Sequence, residues 1–213
     1  ITGAGFDNNL LCIGEKQVIA AAGAYEKTLD ALKRQGAVLL TAKQLEAISR
    51  EVFDFKDGVG CGSPVLNRKW VGANPDALAR IAGLNIDSKV ELLIAETGID
   101  DAFVQEEQMM PLLPIVRAGC FDEALRMAKQ SEHGDKHSAM IHTMNVERMT
   151  RMGQVMDTTI FVKNGPCVAG LGMGGEGFIS FSIATSTGEG ITTPRTFSRF
   201  RRCTLVNNLN IVS

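Results

Sequence analysis

Short apolar runs alternate along this chain with segments of helical period. VIAAA (18–22) is an uninterrupted apolar run of strand length. AYEKTLDALKRQ follows it, with Leu29, Ala31 and Leu32 set against Glu26, Lys27, Asp30 and Lys33. That spacing predicts a helix, and Gly36 supplies its stop. AVLL (37–40) is a second extended run. Thr41 then stands as an N-cap for AKQLEAISREVF, with Gln44 three residues on in the capping-box position. Asn74 precedes PDALARIAGL, with Pro75 at the first helical position, where its missing N–H costs little. VELLIAE (90–96), LLPIV (112–116), SAMIHT (138–143) and TTIFV (158–162) read as strands. Residues 121–131 and VERMTRMGQVM, capped by Asn145, read as helices.

Strands and helices alternating at this spacing imply right-handed βαβ crossovers. The expected fold is α/β, a mostly parallel open sheet with helices on both faces. A Gly-rich stretch lies at 54–64, and another fills most of the chain between 164 and 190. The arginine-rich RTFSRFRR then leads into CTLVNNLNIV, which reads as a last strand standing apart from the body. The expected division is a domain over 1–195 and a C-terminal strand over 196–213 that pairs elsewhere, for example with another subunit.

Composition narrows the function classes. The chain has 213 residues, of which 45% are hydrophobic and 22% charged, with a formal net charge of -2. That balance gives no general drive toward nucleic acid or a membrane surface. No apolar run reaches the roughly 20 residues needed to span a bilayer. The five cysteines, Cys12, Cys61, Cys120, Cys167 and Cys203, are scattered and never in CxxC spacing. This argues against a disulfide framework or a zinc site and for a reducing, intracellular setting. His133 and His137 have the i, i+4 spacing that would put two ligands on one helix face, but Gly134 lies between them and no further ligand pattern surrounds them. No metal is assigned. The chain starts at Ile1 without a methionine, so its native start is expected upstream.

Three features are candidates for chemistry. A free cysteine is more often a small buried hydrophobe than a catalyst, and Cys120 and Cys203 are read that way. Cys12 follows the polar FDNN and has Lys16 as its nearest base; Cys61 and Cys167 lie in Gly/Pro-rich loops. Local sequence leaves all three as possible reactive thiols. GLGMGGEG (170–177) has the spacing of a dinucleotide fingerprint, but FISFSIATSTGEG after it is no helix start, so a Rossmann turn is rejected. Glu106 and Glu107 precede the strand LLPIV. The C-terminal edges and the connecting loops of a parallel sheet often contact ligands, while a solvated pair is the bland alternative.

Several stretches together resemble one family. They are FDNNLLCIGEK, FVQEEQMMPLLPIVR, EHGDKHSAMIHTMNVERM, TTIFVKNGP, GLGMGGEGF and IATSTGEGITTPRTFSRFRRC. In this order they resemble the C-terminal part of CoA-acylating aldehyde dehydrogenases, the propionaldehyde dehydrogenase-like enzymes of propanediol and ethanolamine utilisation in bacterial microcompartments. The resemblance implies that Cys12 is the catalytic thiol, which attacks an aldehyde to give a thiohemiacetal and then, after hydride loss to NAD, a thioester. The thiol of coenzyme A then takes the acyl group, and the Cys12 N–H helps hold the oxyanion. Glu107 matches the glutamate that contacts the ribose beside the nicotinamide, and Met109 replaces the usual phenylalanine of that motif. His133 and His137 are given structural or positioning roles. The resemblance further implies a nucleotide-binding domain that is absent from this chain, little dehydrogenase activity for the chain by itself, a homo-oligomer when full length, contact with microcompartment shell or cargo proteins, and a cytoplasmic location inside a microcompartment. Two readings stand beside it: a non-acylating aldehyde dehydrogenase that releases a free acid, and a non-enzymatic interaction domain.

Overall fold

The computed structural model describes residues 1–55, 64–175, 179–183 and 190–206. Four parallel strands form the main sheet: β1 (Val18–Ala21), β2 (Val38–Leu40), β5 (Leu93–Thr97) and β6 (Leu112–Ala118), in the order β1-β6-β5-β2. The sheet is filled from its edges inward. The first two strands take the two flanks, and β5 and β6 close the gap. Parallel strands covered on both faces favour continuous apolar sequence, which is why six of the seven residues of β6 and the first three of β5 are buried.

Side chains alternate across β5 and assign the faces. Leu93 and Ala95 point to one side, where they meet Leu45, Ile48 and Val52 of α3 (Ala42–Val52) and Leu78 of α4 (Pro75–Ile81). Leu92 and Ile94 point to the other side, against Tyr25 and Leu29 of α2 (Ala22–Arg34). The Thr41 capping box forms as its sequence predicts: the Gln44 N–H donates to the Thr41 hydroxyl, and the Gln44 side chain accepts from the Thr41 N–H at 2.8 Å. Asn145 caps α7 (Val146–Met156) by accepting from the Arg148 N–H at 2.9 Å.

The sheet is mostly parallel, but the strands do not all join it. β7 (Ser138–Ile141) and β8 (Ile160–Lys163) pair in parallel as a separate two-stranded unit, with α6 (Phe121–Ser131) and α7 beside it. β3 (Phe53–Asp54) and β4 (Val65–Leu66) form a short antiparallel pair that the apolar pattern did not predict. Such two-residue ladders are too short to show a period. The expected C-terminal strand lies mainly outside the described residues, at 207–213; residues 203–206 form no strand.

Candidate active site

The chain enters the site through α1 (Thr2–Gly5) and a 3-10 turn over Phe6–Asn9. Asp7, Asn8 and Asn9 have φ of 48°, 51° and 60°, three left-handed residues in succession. Asn and Asp tolerate this conformation better than other side-chain-bearing residues, because a short polar side chain can bond locally. The DNN triplet is thus a backbone requirement as well as a polar lead-in. The Asn8 amide donates to the Gly72 carbonyl at 2.9 Å and to Asn74 Oδ1 at 2.8 Å. Asn74 occupies the N-cap position of α4 but makes no side-chain cap bond, since its oxygen faces Asn8.

Asn9 is 1% exposed and ties the loop at its neck. Its Nδ2 donates to the carbonyls of Ala4 (2.8 Å) and Glu15 (2.9 Å). Its own carbonyl and its Oδ1 accept from Lys16 Nζ at 2.8 and 2.5 Å. Beyond this neck the chain turns sharply, with the Gly14 N–H on the Leu11 carbonyl at 2.8 Å. Cys12 stands exposed on that turn, while Ile13 beside it is fully buried among Ile160, Val162, Val168 and Leu171. A β-carbon on Gly14 would lie 3.1 Å from the Leu11 carbonyl and 3.3 Å from Asn9 Oδ1, so glycine lets the turn close against its neck. Among the described residues the Cys12 N–H has no hydrogen-bond acceptor, which leaves it free to serve an oxyanion.

Strand order explains why Glu107 lies close by. β1 and β6 are parallel neighbours, with Val18 opposite Ile115. The segments that lead into them therefore arrive at the same end of the sheet, its N-terminal edge. Gln108, fully buried, joins the two segments by donating to the Lys16 carbonyl at 2.8 Å and the Leu112 carbonyl at 3.0 Å. Glu107 keeps about half its side chain exposed, and its Oε1 lies 3.4 Å from Lys16 Nζ. Burial pushes the pKa of Lys16 below its ordinary value. Attraction to Glu107, and more weakly to Cys12 and Cys167, opposes that shift. Lys16 thus ties the Cys12 loop, through Asn9, to Glu107.

Glu15 points the other way. Its Oε1 accepts from the Cys167 N–H at 2.9 Å, while Oε2 is buried without a partner. Gly3 makes room for this carboxylate, since a β-carbon there would lie 1.9 Å from Oε2. Cys167 is fully buried, and burial together with the Glu15 carboxylate pushes its thiol up to about 12. The reading of Cys167 as an exposed, reactive loop thiol is therefore corrected: its Gly/Pro-rich surroundings form a 3-10 turn (Cys167–Leu171) packed into a core. Cys120 and Cys203 are corrected in the opposite sense. Both are exposed rather than buried, Cys120 because it precedes the first turn of α6 at the surface. Cys61 lies outside the described residues.

The remaining candidates are dispersed. His133 and His137 sit in the irregular segment between α6 and β7, not on one helix face; His133 Nε2 lies 3.1 Å from the Gln105 carbonyl. Met109 takes a left-handed φ of 47°, and its carbonyl accepts from the Gly72 N–H at 2.9 Å. β8 leads into the Cys167–Leu171 turn rather than a glycine-started helix, in accord with rejection of the dinucleotide fingerprint. Glu176 and Gly177, and most of IATSTGEG, lie outside the described residues. The sequence reading missed Asn9, Glu15, Lys16 and Gln108 as site-building residues. Their signal was only proximity to Cys12 and Glu107.

No protein-family model matches the chain. Individual proteins do. The acetylating acetaldehyde dehydrogenase EutE of Salmonella typhimurium is 42% identical over 212 residues, covering all of this chain and 45% of that protein. The crystal structure of Rhodopseudomonas palustris propionaldehyde dehydrogenase, with bound CoA and an acylated cysteine, superposes with a TM-score of 0.87 at 38% identity. It covers 96% of this chain and 45% of that one. A propionaldehyde dehydrogenase from the Clostridium phytofermentans fucose-utilisation bacterial microcompartment gives a TM-score of 0.87 at 40% identity, over 99% of this chain and 47% of that one. The chain thus spans about 45% of the length of the relatives it matches.

Proposed function

We propose that this chain, homologous along its whole length to one part of the CoA-acylating aldehyde dehydrogenases, is the thiol-bearing catalytic part of such an enzyme, with Cys12 as the nucleophile. The observation that carries the reading is an exposed Cys12 on a turn whose neck is locked by Asn9 and Lys16 and whose flank carries Glu107. Its support from outside the chain is the acylated cysteine and bound CoA of the R. palustris relative.

In this reading Cys12 Sγ adds to the aldehyde carbonyl carbon to give a thiohemiacetal, and the Cys12 N–H meets the oxygen as charge develops. Loss of hydride from the former aldehyde carbon leaves a thioester on Cys12. The thiolate of CoA then attacks the thioester carbon, the C–S bond to Cys12 breaks, and acyl-CoA departs with the Cys12 thiolate restored. NAD, when bound, supplies the hydride acceptor. Within this chain Glu107 is the residue assigned to hold it: a half-exposed carboxylate with acceptor capacity beyond its 3.4 Å contact to Lys16 suits vicinal ribose hydroxyls. One such contact does not make a nucleotide site, so dehydrogenase turnover belongs to the whole protein and the chain alone is expected to show little.

Residues 1–195 are read as the catalytic domain and 196–213 as an oligomerisation element. Phe197 and Phe200 are 77% and 94% exposed, beside Arg195, Arg199, Arg201 and Arg202, a surface suited to a second subunit. The substrate is a short aldehyde of the propionaldehyde kind. The assigned location is the cytoplasm, within a bacterial microcompartment in company with shell or cargo proteins, as the origin of the C. phytofermentans relative supports. Among the described residues no helix is long and apolar enough to cross a membrane.

The test is product analysis with the full-length enzyme, propionaldehyde, NAD and CoA. Acyl-CoA should form, and C12A should abolish it. Carboxylate formed regardless of CoA would establish the non-acylating alternative, and unimpaired turnover by C12A would overturn the assignment of the nucleophile.

A further inference from the structure

The turn ahead of α4 touches both parts of the site. Gly72 is its centre. Its N–H donates to the carbonyl of Met109, just past Glu107, at 2.9 Å, and its carbonyl accepts from the side-chain amide of Asn8, ahead of Cys12, at 2.9 Å. Leu10 lies against the same glycine, where a β-carbon would stand 3.1 Å from Leu10 Cδ1. Asn74 follows with the extended backbone of a helix N-cap, φ -69° and ψ 152°. Thr41, Asp101 and Asn145 hold like conformations, and each caps the helix that follows it. Asn74 does not. Its Oδ1 instead accepts the second hydrogen of the Asn8 amide at 2.8 Å. Asn8 is itself left-handed, at φ 51°, and uses both donors of its amide to reach this turn. An exposed amide bond gives a modest net stabilisation at best, and a cap bond at this position would give as much. Stability alone is no reason for Asn74 to turn away from α4; the placement of the segment ahead of Cys12 is.

We propose that Asn74 is a positioning residue for the nucleophile: with the Gly72 carbonyl it forms a two-acceptor seat for the Asn8 amide, and this seat fixes where the turn presents Cys12. The proposal rests on Cys12 being the nucleophile. Two adjacent amides divide the task. Asn9 closes the loop on itself, through Ala4, Glu15 and Lys16. Asn8 sets the closed loop against the rest of the domain. Asn74 touches no reacting atom; it acts through Asn8. Its loss leaves the loop closed but free to shift on the Gly72 turn. Attack on a carbonyl carbon tolerates little displacement, since a misplacement of about 1 Å can slow a reaction on the order of 100-fold.

The test uses the full-length enzyme with Asn74→Ser, Asn74→Asp, Asn8→Gly and the pair Asn8→Gly/Asn74→Ser. Two quantities are read: the thermal unfolding midpoint, and the single-turnover rate of NADH formation with saturating propionaldehyde and NAD, which follows formation of the Cys12 thioester. Serine is a strong N-cap but too short to reach Asn8. Asn74→Ser should therefore leave the unfolding midpoint unchanged or raised, while the single-turnover rate falls by at least about threefold. Aspartate keeps an acceptor oxygen at the same reach, so Asn74→Asp should stay within about threefold of wild type. Asn8→Gly keeps the left-handed backbone and removes the amide; it should slow the reaction at least as much as Asn74→Ser, and the pair should be no slower than Asn8→Gly alone. KM for NAD should stay within about twofold throughout, because Gln108 holds the Glu107 segment independently. A smaller loss in Asn74→Ser, a midpoint that falls together with the rate, an equal loss in Asn74→Asp, or additive losses in the pair would each overturn the proposal. Failure of the enzymatic reading shows separately, as acyl-CoA formation by C12A.

Discussion

Replacing Asn9 by alanine removes the tie at the neck of the Cys12 loop, and its size can be worked from the bonds present. Two neutral bonds to the Ala4 and Glu15 carbonyls contribute about 1 kcal/mol each, and the bond from the Lys16 ammonium about 1.5–3 kcal/mol. Alanine at φ 60° adds about 1–2 kcal/mol of backbone strain. The total is about 4.5–7 kcal/mol, comparable to the lower end of the stability of a whole domain. The loop is joined to the body by few other bonds, so the loss should appear first as local opening. Amide hydrogen exchange of the full-length enzyme, followed on the peptide spanning residues 6–18, should show at least a roughly 100-fold loss of protection, because every 1.4 kcal/mol is about a factor of ten. Asn9→Gly relieves the backbone strain of about 1–2 kcal/mol but restores none of the bonds, so it should recover only about 5- to 30-fold of the protection. Both variants should lose turnover in parallel with protection. Protection in Asn9→Ala within about threefold of wild type would refute the claim that this side chain holds the loop.

Gly3→Ala places a β-carbon where the Glu15 carboxylate sits; calorimetry should show destabilisation of about 1–3 kcal/mol, and Cys167 should become alkylatable without denaturant. The Cys167 thiol, raised from an ordinary value near 9 to about 12, keeps its proton in the native state after the unfolded chain has lost it. Its stabilising contribution is therefore complete below about pH 9 and is lost as pH rises toward 12. Tyr25, raised to about 12 by burial and by Glu96, acts in the same sense from pH 10 upward. Unfolding midpoints measured across pH 8–11 should fall, and C167A should flatten the part of the slope that begins near pH 9. Thr41→Ala removes one half of the capping box and should cost about 1 kcal/mol in urea denaturation without altering turnover.

Long periodic elements were readable because burial imposes its period directly on the sequence. The helices Ala42–Val52, Phe121–Ser131 and Val146–Met156 lie where the apolar pattern puts them, and the Thr41 and Asn145 caps form. Partition of the strands into two sheets was not readable, because SAMI and IFVK are at least as buried as the edge strands β1 and β2 of the main sheet. Asn74 shows the same limit at a single residue: the cap position was evident, but its oxygen is claimed by Asn8, 66 residues away. At the site, FDNN marked a polar approach to Cys12, yet its left-handed geometry and the roles of Asn9 and Lys16 depend on packing against α1 and the Glu107 segment. The buried state of Cys167 depends on Glu15 and Ile13, which arrive from the opposite end of the chain.

The order β1-β6-β5-β2 also sets a sequence of events. β1 is an edge strand, and its only sheet partner among the described residues is β6, which is made about a hundred residues later. Until β6 docks, the loop with Cys12 has neither Gln108 nor Glu107 beside it, and Ile13 lacks the β8 side chains that cover it. Closing so long a connection is entropically costly and comes late relative to local helices. The geometry around Cys12 is therefore among the last to form. A chain still folding, or one interrupted during synthesis, carries Cys12 as an ordinary flexible thiol, and the locked geometry of its loop arises only when the sheet is complete.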